Sequence, residues 1–199
     1  FLKVGYVKSN DEHNEVASFF NSRMKDYDLN ILGFTEKLWY FKSYLWYSFL
    51  THDFLSSYKY ALKWVELFEG DRSNIQFNPV YYLRGNQYLL ESLFLLQNPI
   101  KFKQVLKNFE EIYNSNWFPK DDNIKTVAFI NLFTNKLNLH FMEGTFNDAL
   151  PVVNDILKTL NENNIVIDQH YVLVIYYKMS SIYFCVDDDE QCLFYLYKI

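Results

Sequence analysis

The chain has 199 residues, a formal net charge of −5 and 20% aromatic content, from 19 Phe, 17 Tyr and 4 Trp. Five Gly and four Pro, where average usage would place roughly 24, exclude a hairpin-rich β protein, and so much aromatic surface excludes a disordered tail. Two Cys exclude a disulfide scaffold, and the longest unbroken apolar run, 171–177, is too short to span a bilayer.

The elements predicted from periodicity are all helices. Ser9-Asn10-Asp11-Glu12 has capping-box spacing, and Val16, Phe19, Phe20 and Met24 follow on one face, so a short amphipathic helix is expected over 9–25. Thr35 is placed to cap a second helix with the stripe Leu38, Phe41, Leu45 and Phe49, broken at His52-Asp53. From there Phe54, Tyr58, Ala61, Val65 and Phe68 mark a third helix that stops at Gly70, as expected of Gly past a last apolar residue. A connection that short forces the two helices to lie antiparallel.

The two-helix unit then recurs. Asn78-Pro79 is a start signal, with Pro at the first helical position and Asn as its cap. That helix carries Leu90, Leu93 and Phe94 to a turn at Asn98-Pro99, and its partner carries Phe102, Leu106, Phe109 and Ile112. A third pair has Phe133, Leu137 and Phe141, a turn at Gly144, then Ala149, Val153, Ile156 and Leu160. Pro151 falls early in its second helix, where a missing N–H costs least. A fourth pair has Tyr176, Ser180 and Phe184, a turn at Asp187 to Asp189, then Cys192, Leu196 and Ile199. The pairs span about 35–70, 78–113, 124–160 and 170–199, with polar linkers at 71–78, 114–123 and 161–169. They are expected to form one helical-repeat domain over 1–199, with the helix at 9–25 belonging to a preceding unit. A start at Phe1 without Met and an end in mid-pattern give the chain the look of an excerpt from a longer one.

Aligned on their turns, the pairs show matching columns. Phe49, Phe94, Phe141 and Phe184 stand at steps of 45, 47 and 43 residues. Four positions earlier the column reads Leu45, Leu90, Leu137 and Ser180. The second helices contribute Ser57, Phe102, Ala149 and Cys192, and then Ala61, Leu106, Val153 and Leu196. A period of this size built from two helices is the signature of a solenoid, because one hairpin cannot hide both of its apolar faces.

These residues resemble tetratricopeptide (TPR) repeats. The fourth pair carries the likeness best, through Tyr176-Tyr177-Lys178-Met179-Ser180-Ser181-Ile182-Tyr183-Phe184, the turn at Asp187-Asp188-Asp189, and Cys192-Leu193. The third matches through Gly144-Thr145-Phe146 and Ala149-Leu150. The first two depart from the pattern, with Leu45 and Leu90 where a small residue is usual and Phe102 where Ala is usual. The period also exceeds the usual repeat of about 34 residues, so longer helices or linkers must absorb the excess. The resemblance covers roughly 35–199 and is similar to that of long-period bacterial TPR-like proteins. It implies an all-α, right-handed superhelical α-solenoid of stacked antiparallel pairs.

Motifs for chemistry are sparse. The Gly residues occur singly, so no phosphate loop forms, and neither H-E-x-x-H nor G-x-S-x-G occurs. His140 and Glu143 share a helix face at a spacing that could hold a metal, but a half-buried His beside Phe141 is the expected arrangement. Asp187-Asp188-Asp189-Glu190 lacks the Gly and late Glu of a calcium loop and is expected to feed a helix N-terminus, where negative charge is favoured. Cys185 and Cys192 form no C-x-x-C and are expected as buried, reduced thiols in a cytoplasmic protein. Lys101, Lys103 and Lys107 read as a solvated face, and the acidic balance argues against nucleic acid. No cofactor, metal or catalytic residue is expected.

The TPR resemblance implies a binding groove on the first helix of each pair, at its second, fifth and ninth positions. These are Trp39, Lys42 and Trp46 in the first pair and Arg84, Gln87 and Glu91 in the second. The third offers Asn131, Thr134 and Asn138, and the fourth Val174, Tyr177 and Ser181. Amides that donate and accept, with rigid aromatic contact area, suit an extended peptide or protein partner. The expected function is a non-catalytic interaction scaffold. The alternative is a peptide- or ligand-sensing part of a longer transcriptional regulator or signalling protein.

Overall fold

A computed structural model describes residues 7–24, 27–161 and 167–199. Among them are ten α-helices and no strand: α1 (Asn10–Arg23), α2 (Phe34–Leu50), α3 (Phe54–Glu69), α4 (Arg72–Phe77), α5 (Pro79–Leu95), α6 (Pro99–Asn114), α7 (Asp122–Glu143), α8 (Phe146–Asn161), α9 (Gln169–Cys185) and α10 (Asp189–Leu196). The end of the helix expected at residue 25, and most of the linker expected over 161–169, lie outside the described residues. The chain divides into two compact units, Phe1–Leu96 and Gln97–Ile199.

Local chemistry sets the helix ends. Ser9 Oγ accepts the Glu12 N–H at 3.2 Å, while the Glu12 carboxylate reaches past the cap to the Lys8 N–H at 2.7 Å. Gly33, not Thr35, caps α2, and its N–H is held by the Glu36 carboxylate at 2.7 Å. Gly70 ends α3 as expected but keeps right-handed dihedrals. Asn78 precedes α5 without a side-chain capping bond, against the expectation for it, and its N–H closes α4 on the Asn74 carbonyl. The linker expected at 71–78 therefore contains a helix, started by Asp71 Oδ1 on the Ser73 N–H at 2.8 Å. Pro151 stands sixth in α8, so the helix forgoes its bond to the Asn147 carbonyl.

In the first unit α2 packs on α3, and α3 packs on α4 and α5. The α2 stripe of Leu38, Phe41, Leu45 and Phe49 is buried as expected, against a core that includes Ala61, Trp64, Val65 and Phe68. Fully burying each such Leu or Phe contributes about 1.5–3 kcal/mol. Gly85 lets α5 close on α3, since a Cβ there would stand 2.9 Å from Trp64 Cδ1. Helix α1 joins through Phe20, whose ring stacks 4.2 Å from that of Tyr47 and meets Tyr44 edge-on at 4.9 Å.

In the second unit α7 packs on α6 and α8, α9 on α7 and α8, and α10 on α9. Its core joins Leu137, Ala149, Val153 and Ile156 to Ile175, Met179, Ile182 and Cys192. The same pattern occurs in each unit: α3 packs on its own partner α2 and on the next first helix α5, and α8 on its partner α7 and on the next first helix α9.

The turns repeat more strictly than the sequence suggests. His52 (φ 57), Gln97 (φ 51), Gly144 (φ 67) and Asp187 (φ 58) are the described residues with left-handed backbone. Each lies three residues past its member of the Phe column, so their steps are the same. At three of the turns the next N–H bonds five residues back, Asp53 to Ser48 at 2.9 Å, Thr145 to His140 at 3.1 Å and Asp188 to Tyr183 at 3.0 Å. This main-chain closure around a left-handed residue ends a helix without exposing its last carbonyls. The residue after the bend then caps the following helix. Asp53, Asn98 and Asp188 each accept a backbone N–H at 3.1 Å, from Ser56, Lys101 and Gln191.

Side-chain columns hold in part. Leu45, Leu90 and Leu137 are 0% exposed and Ser180 2%, and Ser57, Phe102, Ala149 and Cys192 are all buried. The Phe column does not hold to its end. Phe49 is buried, Phe94 and Phe141 are half-buried, and Phe184 is 68% exposed. Leu196 departs likewise from the buried Ala61, Leu106 and Val153. Helix α9 buries Ile175, Met179 and Ile182, a stripe that excludes Phe184.

Candidate functional site

The expected groove residues of the first unit come together on α2 and α5. On α2, Lys42 lies one turn from Trp39 on one side and one turn from Trp46 on the other. Its Nζ sits 4.4 Å from the Trp39 ring centre, within cation–π reach, and 5.8 Å from the Tyr81 ring of α5. Trp46 meets the Tyr88 ring edge-on at 5.7 Å, and Phe49 lies 6.1 Å from the same ring. The Lys42 side chain leans back toward Tyr81 while Trp46 lies against Tyr88, so α2 and α5 run in the same direction. Arg84 stands between Tyr81 and Tyr88 on its own helix. The result is two parallel stripes, each an aromatic, a cation and an aromatic.

The face is open. Trp39 is 50% exposed and Trp46 42%, Arg84 is exposed, and Lys42, Tyr81 and Tyr88 are half-buried. The Trp rings are therefore not covered by α1, which docks through Phe20 on Tyr44 and Tyr47. Burial first, and then the charge of Arg84, hold the Lys42 ammonium below the usual lysine range. No described carboxylate lies within ion-pair distance of either cation. Gln87 and Glu91 continue the α5 stripe, half-buried, beyond Arg84.

In the second unit the expected positions separate. Asn131 and Thr134 are buried, which corrects the groove assignment for both. Thr134 Oγ1 donates to the Ile130 carbonyl at 2.6 Å, and the Asn131 carbonyl accepts from Asn135 Nδ2 at 2.7 Å. Asn138 is half-buried, donates to Asn135 Oδ1 at 3.3 Å and accepts from Lys178 Nζ at 2.5 Å. These amides form a polar seam from α7 to α9 rather than a surface. Tyr177 is 62% exposed, Val174 half-buried, and Ser181 turns its hydroxyl to the Tyr177 carbonyl.

The other candidates for chemistry disperse. His140 Nδ1 shares a 2.8 Å hydrogen bond with Thr145 Oγ1 across the turn, whereas the Glu143 carboxylate faces Lys103 at 3.4 Å. Cys192 is buried but Cys185 is exposed, against the expectation for that thiol. The acidic run does feed a helix, with Asp188 as cap and Asp189 and Glu190 in the first turn of α10. Lys101, Lys103 and Lys107 are exposed, and Lys107 pairs with Glu111 at 3.7 Å. Among the described residues no group of three His, Cys, Asp or Glu side chains is placed to hold a metal, and no helix is long and apolar enough to cross a membrane.

The sequence reading missed Tyr81 and Tyr88. The signal was present: both flank Arg84 at helical spacing, as Trp39 and Trp46 flank Lys42. Comparison of the chain with protein-family models, with curated proteins and with solved structures gave no match.

Proposed function

We propose that this chain is a non-catalytic interaction scaffold, built of TPR-like helix pairs in a right-handed superhelix, that takes a peptide or protein segment on its first helices. The observation that carries the reading is the coincidence of two periodicities. Left-handed turn residues and buried side-chain columns recur at the same steps, and in each unit second helices pack on the next first helix. Repetition of that kind creates extended surface rather than a pocket.

The α2–α5 face supports the binding role, because it exposes two Trp rings and Arg84 beside a half-buried Lys42, with no described carboxylate in ion-pair distance of either cation. Rigid aromatics and Arg are the residue types that dominate binding energy at protein interfaces. The formal charge of −5 disfavours nucleic acid as the partner. Two unpaired thiols suit a reducing, cytoplasmic compartment.

The test is affinity capture from the source cell with the intact chain, repeated with Lys42→Glu and Arg84→Glu together. Specific partners are expected to disappear with helicity unchanged by circular dichroism. Retention of every partner removes the α2–α5 assignment, and absence of any specific partner removes the scaffold reading.

A further inference from the structure

We infer that the α2–α5 face recognises an internal Asp or Glu side chain of an extended peptide, flanked on both sides by apolar or aromatic residues; this rests on the scaffold reading and specifies the ligand of that face. The argument is one of register. Lys42 and Arg84 occupy the middle of their stripes, with Trp39 and Tyr81 at one end and Trp46 and Tyr88 at the other. Lys42 Nζ lies 4.4 Å from the Trp39 ring centre and 5.8 Å from that of Tyr81, and the Trp46 and Tyr88 rings meet at 5.7 Å.

Lys42 and Arg84 sit on adjacent stripes of one face, and no described carboxylate lies within 4.0 Å of either. Lys42 is partly desolvated and feels the charge of Arg84, so each raises the free energy of the other's charged form. One carboxylate between them relieves both, through charge-assisted hydrogen bonds to the guanidinium and the ammonium. The rings decide which carboxylate. A chain-terminal carboxylate leaves one aromatic end bare, because no chain continues past it. A side-chain carboxylate lets the peptide run on in both directions and cover both ends.

The discriminating experiment uses the full chain and immobilised pools of nonapeptides, acetylated and amidated at their ends, with the central residue fixed as Glu, Asp, Gln or Lys and the flanks random. Retention is measured at two salt concentrations. Glu and Asp pools are expected to retain at least tenfold more chain than the Gln pool, and the Lys pool least. The advantage should shrink as salt is raised. Within the Glu pool, Phe, Leu, Tyr and Trp should be enriched on both sides of the centre. In the double variant Lys42→Met, Arg84→Met, with thermal unfolding confirming a folded chain, the preference for acid should fall below twofold.

Equal retention of the Glu and Gln pools overturns the inference. So does a preference that survives the double variant, or binding only by peptides with a free C-terminal carboxylate. A labelled dT12 oligonucleotide retained as tightly as the Glu pool overturns it too, in favour of single-stranded nucleic acid, whose bases also stack on aromatic faces. If cellular partners are captured equally well by the Lys42→Met, Arg84→Met chain, the acidic ligand falls while the scaffold reading stands.

Discussion

The four left-handed turn residues invite a test in which equivalent positions respond with opposite signs. An L-residue held in the left-handed region costs about 1–2 kcal/mol relative to the right-handed one. Removing a glycine from the unfolded chain returns about 0.4–1 kcal/mol of conformational entropy. At Gly144, φ is 67 and no heavy atom lies within 4 Å of where a Cβ would stand. Gly144→Ala therefore meets no neighbour beyond its own local backbone, and the two figures leave a net loss of about 1 kcal/mol. The reverse substitution, to Gly, at Gln97 removes the same strain and is expected to stabilise by up to about 1 kcal/mol. His52→Gly and Asp187→Gly gain less, since His and Asp adopt this region more readily than most residues. Urea denaturation followed by far-ultraviolet circular dichroism measures each difference; for a chain of this size 1 kcal/mol moves the thermal midpoint by about 2–4 °C. A neutral Gly144→Ala, or a destabilising Gln97→Gly, refutes the reasoning, because either outcome means that the bend is held by side chains.

Three further outcomes are expected. Gly85→Ala gains about 1 kcal/mol of helix propensity but sets a methyl 2.9 Å and 3.0 Å from Trp64 Cδ1 and Nε1, an overpacking worth about 1–3 kcal/mol. In a Trp64→Ala background, which deletes the obstructing ring, the same change should stabilise, so a double-mutant cycle by urea denaturation should return a coupling of about 1 kcal/mol or more. Leu137→Ala should cost about 2–5 kcal/mol whereas Phe184→Ala, at an exposed position, stays within about 0.5 kcal/mol; similar losses at both sites contradict the burial described. The Tyr82 phenol donates to Glu69 Oε1 at 2.9 Å, and burial first, then the Glu69 charge, raise it well above its ordinary value of 10.0. Its unfolded form ionises near that value while the folded form stays neutral, so its stabilisation is complete below pH 10 and is lost as pH rises beyond it. Urea midpoints at pH 8 and pH 10.5 should differ less in Tyr82→Phe than in the parent chain, and an unchanged difference contradicts the assignment.

Hydrophobic spacing made most helices legible, because a helix that buries one face must repeat its apolar residues at three and four. The stripe of α2 and the Leu45, Leu90, Leu137 column were readable for that reason. The short α4 was not, since six residues hold too little periodicity to separate a helix from a polar linker. Asn131 and Thr134 misled because a small polar residue on a helix can bond its own preceding turn as readily as face water; Thr134 takes the first course with Ile130. Phe184 misled for another reason. Its column was drawn from sequence spacing, and spacing says which face a residue shares, not whether anything lies against that face. Three of the turns were opaque because His, Gln and Asp do not announce a left-handed backbone as Gly144 does. The cationic centre of the candidate site was legible from sequence, but its closure by Tyr81 and Tyr88 needed the neighbouring helix in place.

Because the bends at His52, Gly144 and Asp187 are fastened through backbone atoms, their side chains are released from a structural duty that would otherwise preserve them. His, Gly and Asp fill one role, and mutation can exchange such letters for a long time before the hairpin fails. Divergence in a lineage of this kind erases spelling faster than it erases shape, so kinship here is better sought in the rhythm of dihedral angles than in the alphabet of residues.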